Sequence, residues 1–431
     1  VVGREVFGDD YVSRDQLTRL HMYYGGAMDC DHWHQGAGFV TSHVALTLVW
    51  EKGLQAIEPS IAAPYWDFTL ESTFFGSSDW HDSKIFSSDW FGEGSPDNEL
   101  HTVTEGRWSF VPMMMNSAGY TKWHNAYGLM RAPWNLDSTP FVTRSMNIYG
   151  LENNLKPSGC EEYHRTLKKS NWMSLAKVLN SAAHGHIHET MGGAWNHPFE
   201  AVVADIEDPP LAVFQFAHWI QSSSKILWRA GVVKCSDSCD MSTPTSECNC
   251  ACDEKAIAGR RSYEVLDEYG LLDSLTFFDS DLNTLDSSKF KDHKGSIREV
   301  IQGHTKEESK EIYDSMLDNL CTPGHLGDMF QASSPNDVTF WVIHSTIDRV
   351  WHFMRLGDTE YDQTWEATTP CYGHNPKNFQ PFSSLFGDDH DKYYTNKELY
   401  DLLSPTSDSL PYVYDNFEWP HCTFLGYRMT N

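Results

Sequence analysis

The chain has 431 residues, 40% hydrophobic and 21% charged, so it can bury a large core, and wholesale disorder is excluded. Its formal net charge of -28 repels phosphate backbones and argues against nucleic acid, leaving a solvated acidic surface or a cationic protein partner. No apolar run approaches the ~18 residues of a membrane span, and the start at Val1, without a basic segment and an apolar stretch, implies that any targeting peptide is already removed.

Taken in chain order, residues 13–24 read as a short helix. Residues 39–57 carry apolar side chains at helical spacing and read as a longer one. Pro59 and Pro64 break that pattern, and 63–68 leave as an extended exit. Residues 72–160, rich in Ser, Gly, Asp, Pro and aromatics, read as long loops that cover something. The 16 Trp of the chain fit a large buried centre. Residues 171–191 are predicted as one helix, capped by Ser170 or Asn171 and stopped by Gly192–Gly193. Residues 336–356 form another, started by Asn336 or Asp337 and stopped at Gly357. Between them, 201–330 differs in character, with a cysteine cluster, a Ser/Thr/Pro-rich patch and charged helical stretches such as 306–319. It reads as an insertion or subdomain, and no internal repeat is visible.

There are ten cysteines. Cys235, Cys239, Cys248, Cys250 and Cys252 crowd together; Cys30, Cys160, Cys321, Cys371 and Cys422 are scattered. The cluster has two readings, a zinc site or disulfides. Its spacing lacks paired C-x2-C arms and no histidine sits nearby, which favours disulfides and hence an oxidising compartment, secreted or lumenal.

The histidines carry the chemistry. His184 and His188 lie four apart on the predicted helix, so both reach one metal. His34 precedes an apolar helix that holds His43, and His21 lies on the helix before. His344 sits in an aromatic helix with Asp348 four residues on, a carboxylate able to accept a ring N–H or to hold a neighbouring helix. Six imidazoles without a carboxylate or thiolate suit copper among other metals, and facing helices commonly converge ligands on an interior site.

The stretch His34–His43, followed by Trp50–Glu51 and by Pro64, Tyr65, Trp66 and Asp67, resembles the first copper signature of the tyrosinase/catechol oxidase family of type 3 copper proteins, with Phe39 where that family places a Phe beside the metal pair. His184 and His188 ahead of Gly192–Gly193 resemble the opening of the second signature; Asp337, Phe340, His344 and Asp348 resemble its close. Phe91–Gly92, Trp134–Asn135 and Thr143–Arg144 look like the family's connecting loops. Tyr412–Val413–Tyr414 resembles its closing Y-x-Y motif, and Arg4 the arginine that packs on it. The resemblance implies a mainly α-helical fold: a tyrosinase-like four-helix bundle around a dicopper centre, with long loops and a large insertion. The implied catalytic core is 1–200 plus 331–431, with 201–330 inserted. It also implies two copper ions, one on His21, His34 and His43, the other on His184, His188 and His344. His32 competes with His21, and His218, downstream of Asp208–Pro209, competes with His344.

There are departures. The family spaces its last two ligands closely, whereas residues 189–343 intervene here. Residue 343 is Ile where the family often has a second His, and 338 is Val where it has Pro. Cys30 is four residues ahead of His34, so the thioether that many members form is not expected. The family's proposed water-holding pair, an Asn after the first ligand of the second copper and a Glu eight residues before that ligand, is replaced by Gly185 and Ala176. With no general base in reach, dioxygen-dependent oxidation of o-diphenols or aminophenols to o-quinones is favoured over hydroxylation of monophenols. The alternatives are a catalytically quiet oxygen carrier or assembly subunit, using the acidic surface or the insertion to meet a protein partner, and a hydrolase with another metal.

Overall fold

The computed structural model describes residues 2–76, 79–152, 156–244, 246–274, 291–292, 294–357, 361–387 and 392–429. The fold is mainly α-helical, as the sequence leads one to expect, and none of its described helices is long and apolar enough to cross a membrane. Seven helices position the site: α1 (Arg14–Gly25), α2 (Gly38–Gln55), α3 (Trp172–Asn180), α4 (Gly185–Gly192), α5 (Leu211–Arg229), α6 (Lys306–Cys321) and α7 (Val338–Leu356).

Caps set most boundaries. The Ser13 hydroxyl accepts from Gln16 N at 3.3 Å while Gln16 Oε1 accepts from Ser13 N at 3.0 Å, a reciprocal box that starts α1. Asn171, not Ser170, caps α3 by accepting from Ser174 N at 2.9 Å. Asp337, not Asn336, caps α7 by accepting from Thr339 N at 2.9 Å, and also ion-pairs with Arg144. The predicted continuous helix over 171–191 is corrected to α3 and α4, separated by residues 181–184. His184 sits at the break. Its Nδ1 donates to Asn180 O at 3.1 Å, taking the carbonyl that a continuous helix would give to the His184 N–H, which turns to Ser181 O instead.

Strands are short: β1 (Asn147–Ile148), β2 (Leu151–Glu152), β3 (Ala194–Trp195), β4 (Val233–Cys235), β5 (Cys250–Cys252), β6 (His325–Leu326), β7 (Phe379–Ser383) and β8 (Tyr393–Thr395). The main sheet runs β2-β1-β3-β6, and β4-β5 and β7-β8 form two ribbons. The antiparallel β3–β6 pair joins Ala194 to Leu326 and Trp195 to His325, so the chain leaves and re-enters the histidine-bearing region at one place. Closure there is tight: a Cβ on Gly327 would lie 1.9 Å from Gly192 O, so only glycine fits.

Two main cores result. One packs α2, α3, α4 and α7 through Phe39, Trp172, Ile187, Phe340, Ile343 and Trp351. The other joins the loops around Trp134 and Tyr149 to α5, α6 and the cysteine ribbon. The clustered cysteines are oxidised as Cys235–Cys250, Cys239–Cys248 and Cys252–Cys321, all inside 201–330. Cys30–Cys371 and Cys160–Cys422 tie early segments to late ones. Five disulfides fit the oxidising environment read from the sequence.

Arg131 and Asp328 form a fully buried bidentate pair, Nε–Oδ1 2.9 Å and Nη2–Oδ2 2.8 Å. Asp328 also accepts from Thr143 N at 2.9 Å and from the Ser333 hydroxyl at 3.0 Å, which pins the segment that returns after β6. Asp328→Asn leaves Arg131 with Asp137, 3.3 Å away, as its remaining carboxylate in a dry site, so stability should fall by about 1–3 kcal/mol. Urea denaturation checks this; a loss below about 1 kcal/mol, the value of an exposed pair, would contradict it.

Candidate metal centre

The helices bring the six histidines into two trios. His21 of α1, His34 of the following loop and His43 of α2 form one; His184, His188 of α4 and His344 of α7 form the other. Within each trio the ligand-capable atoms all lie within 4.8 Å of one another. His21 Nε2 is 3.2 Å from His43 Nε2, and His184 Nε2 is 3.3 Å from His344 Nε2. Two nitrogens bound to one ion at about 2.0–2.1 Å in tetrahedral geometry sit at comparable separation. The trios adjoin, with the His43 and His344 rings stacked at 4.6 Å.

Five of these rings have Nδ1 against an oxygen. His21 Nδ1 donates to Ala332 O (2.7 Å), His188 Nδ1 to Met329 O (2.7 Å), His43 Nδ1 to Phe39 O (2.8 Å), His184 Nδ1 to Asn180 O (3.1 Å), and His34 Nδ1 to Asp31 Oδ1 (2.9 Å). With the proton assigned to Nδ1, Nε2 keeps its lone pair and faces the centre. His188 Nε2 is buried without any partner, as a donor awaiting an ion would be. The donors, three imidazoles per trio, therefore fit copper.

Burial disfavours the charged form of five of the rings. It pushes His21 down to about 3 and His188 to about 4, and holds His43, His184 and His344 well below the ordinary range, with neighbouring histidines adding to the effect. Burial alone would raise Asp31, but His34, Arg229 and Lys225 hold its carboxyl well below the usual range.

The remaining predicted residues fall as follows. The Phe39 ring lies 4.5 Å from His43 and 4.6 Å from His184, and the Phe340 ring 4.1 Å from His344 and 5.3 Å from His21, so each phenyl touches both trios. Ile343 is fully buried in the core beside them. Gly185 opens α4, and a Cβ there would meet nothing closer than Asn180 O at 3.5 Å. Asp348 accepts from the hydroxyls of Tyr412 (2.6 Å) and Tyr414 (2.7 Å), so it anchors the closing Y-x-Y segment. Arg4 bonds to Tyr11 O instead of taking that role. The competitors lie elsewhere: His32 turns to Tyr372 O at 2.9 Å, and His218 is buried on α5 outside both trios. Two further groupings, Cys30–His32–Cys371 and Cys160–His421–Cys422, have their cysteines in disulfides and offer no thiolate. Sequence reasoning missed Asp31, three residues before His34, and the carbonyls of Met329 and Ala332.

The copper-free protein should show this refusal of protons as a pH dependence. Unfolded histidines bind protons near pH 6.5, whereas His188 waits until about 4 and His21 until about 3. The unfolded state therefore binds more protons between those values. Stability should be full above pH 6.5 and fall as pH drops, by about 1.4 kcal/mol per pH unit for each such histidine. Denaturation midpoints from pH 8 to 4.5 measure it, and a flat profile between 6.5 and 5 would contradict it.

The family model for the common central domain of tyrosinase matches residues 12–214. The match spans five of the six histidines, and His344 reaches the site from beyond it. No curated protein sequence matches the chain. The two trios are compatible with the dinuclear copper that the tyrosinase family binds. Residues 12–214 are thus similar to the common central domain of tyrosinase, which supports a place among the type 3 copper proteins.

Proposed function

We propose that the chain holds two coppers and oxidises o-diphenols, or related aminophenols, to o-quinones with dioxygen. The donor set carries the proposal: six buried or half-buried imidazoles in two adjoining trios, with no carboxylate or thiolate ligand atom in either. In this reading His21, His34 and His43 hold one ion, and His184, His188 and His344 the other. When bound, the metal pair supplies the dioxygen and electron-transfer chemistry. The chain's own groups orient and exclude. The Nδ1 bonds fix each ring. Phe39 and Phe340, fully buried against the rings of both trios, keep water from them. Two o-diphenols together release four electrons and four protons, which reduce one dioxygen to two waters.

The preference for diphenols rests on what is missing. A phenol has a pKa of about 10 and must lose its proton before its oxygen can act as a ligand. Gly185 has no side chain, and Ala176 is a buried methyl on α3. Glu189 is near His186 and Lys225, and burial raises its carboxyl, a setting apart from the pair that would polarise a water. A catechol instead delivers its own protons with its electrons.

Members of this family also include oxygen carriers, so turnover decides. The copper-loaded protein should oxidise 4-methylcatechol steadily and hydroxylate 4-methylphenol at least ~10²-fold more slowly, the low end of general-base assistance. Gly185→Asn, which the open space at that position admits, should gain measurable hydroxylation. Lag-free hydroxylation by the unmodified protein would overturn the diphenol preference. A near-ultraviolet band on adding hydrogen peroxide without any catechol turnover would favour the carrier.

A further inference from the structure

Arg229, the last residue of helix α5, lies beyond the residues that match the tyrosinase central domain, yet it reaches the supports of one ligand histidine. His34 is the member of the first trio that stands on a loop, between α1 and α2, and its side chain is 24% exposed. Two supports hold it from behind. Asp31 Oδ1 accepts from His34 Nδ1 at 2.9 Å and from the His34 backbone N–H at 2.8 Å. Gly25, at the end of α1, backs onto the ring, since a Cβ there would lie 3.1 Å from His34 Cε1. Arg229 Nη2 touches both supports: it donates to Gly25 O at 2.6 Å and lies 3.5 Å from Asp31 Oδ2.

The two Asp31 oxygens have separate tasks. Oδ1 also accepts from Trp33 N at 3.2 Å, so it serves the loop and its histidine, whereas Oδ2 faces Arg229. A carboxylate held on both oxygens cannot turn Oδ1 away from His34. Lys225 acts on Asp31 as well, at longer range, so what Arg229 adds is direction more than charge. The guanidinium is itself well anchored. Its side chain is 14% exposed, and the neighbouring Trp228 ring packs on Trp134 at 4.8 Å. Two turns back on α5, Gln221 Nε2 donates to Gly193 O at 3.0 Å, just past α4, the helix of His188.

We infer that Arg229 is a positioning residue for the first trio: it fixes the Asp31 carboxylate, through which the loop ligand His34 is kept aimed at the ion. The inference rests on the reading that the first trio holds copper, and it makes the 201–330 segment part of the support of the metal centre.

Copper(I) affinity, measured anaerobically by competition with a chelator, tests this, and copper anomalous scattering from crystals of half-stripped protein shows which trio empties. In Arg229→Met the ion of the first trio should be held about tenfold more weakly, the lower range for loss of an outer support, while the ion of the second trio is unchanged. Arg229→Lys, which keeps the charge and the donors, should restore most of the difference. Arg229→Gln should weaken the same ion to a smaller extent, and it stands in if the methionine variant does not fold. Asp31→Ala should weaken the first-trio ion as well, and adding Arg229→Met to it should bring no further loss, because the two residues act along one path. Equal weakening at both trios, no weakening at either, or an undiminished further loss in the double variant would overturn the inference and leave the copper reading standing. A metal-free readout keeps the two claims apart. In copper-free protein at pH 8, imidazole nitrogen–proton correlation spectra should show His34 protonated at Nδ1, and a mixture of tautomers in Arg229→Met. If the unmodified protein binds no copper at the first trio, the copper reading fails and these spectra decide Arg229: a mixture supports its role, and an unchanged tautomer refutes it.

Discussion

Hydrogen bonds from imidazole Nδ1 to fixed oxygens are the constraint on which the site depends. A buried imidazole must place its one N–H somewhere, because a buried donor left unsatisfied costs about 1–3 kcal/mol. Here five acceptors sit behind the rings: the carbonyls of Phe39, Asn180, Met329 and Ala332, and the Asp31 carboxylate. They select one tautomer and turn the Nε2 lone pairs toward one another. The acceptors come from four places, α2, α3, the loop before His34 and the turn at 329–332, so the convergence of six rings is a property of the tertiary structure and not of any single motif.

The long interruption between His188 and His344 is reconciled with this constraint at one short turn. Residues 329–332 follow the return strand β6 and supply an acceptor to one histidine of each trio, Met329 to His188 and Ala332 to His21. The turn is held from behind by Asp328 and Arg131, and its approach to α4 admits no side chain at Gly327. Residues between β3 and β6 leave and rejoin the histidine-bearing region side by side, so their length does not displace the histidines. The three disulfides of that segment join β4 to β5, close the loop between them and tie β5 to the end of α6. Helix α5 comes back from it to lie beside α1 and α4 through Arg229 and Gln221.

Much of this was legible in the sequence because the signals are local. Ser13, Asn171 and Asp337 cap the helices they precede, and the apolar spacing of 39–57 gives α2. The crowded cysteines lacked the spacing of a zinc site and are disulfide-bonded. Other features were not legible, for physical reasons. Backbone carbonyls such as those of Met329 and Ala332 leave no residue-type signature. At the break over 181–184 the His184 side chain bonds to a backbone carbonyl, a contact that periodicity cannot register. The partners of Asp348 are tyrosines in the C-terminal segment, brought near by packing alone.

The central claim is that each trio holds one copper through nitrogen alone. Metal analysis of the purified native protein, combined with X-ray absorption at the edge of the metal found, tests it most directly. The account predicts copper at two ions per chain, each with a shell of imidazole nitrogens and no sulfur from the protein. Zinc in place of copper, a single metal per chain, or a shell that includes cysteine sulfur would contradict it.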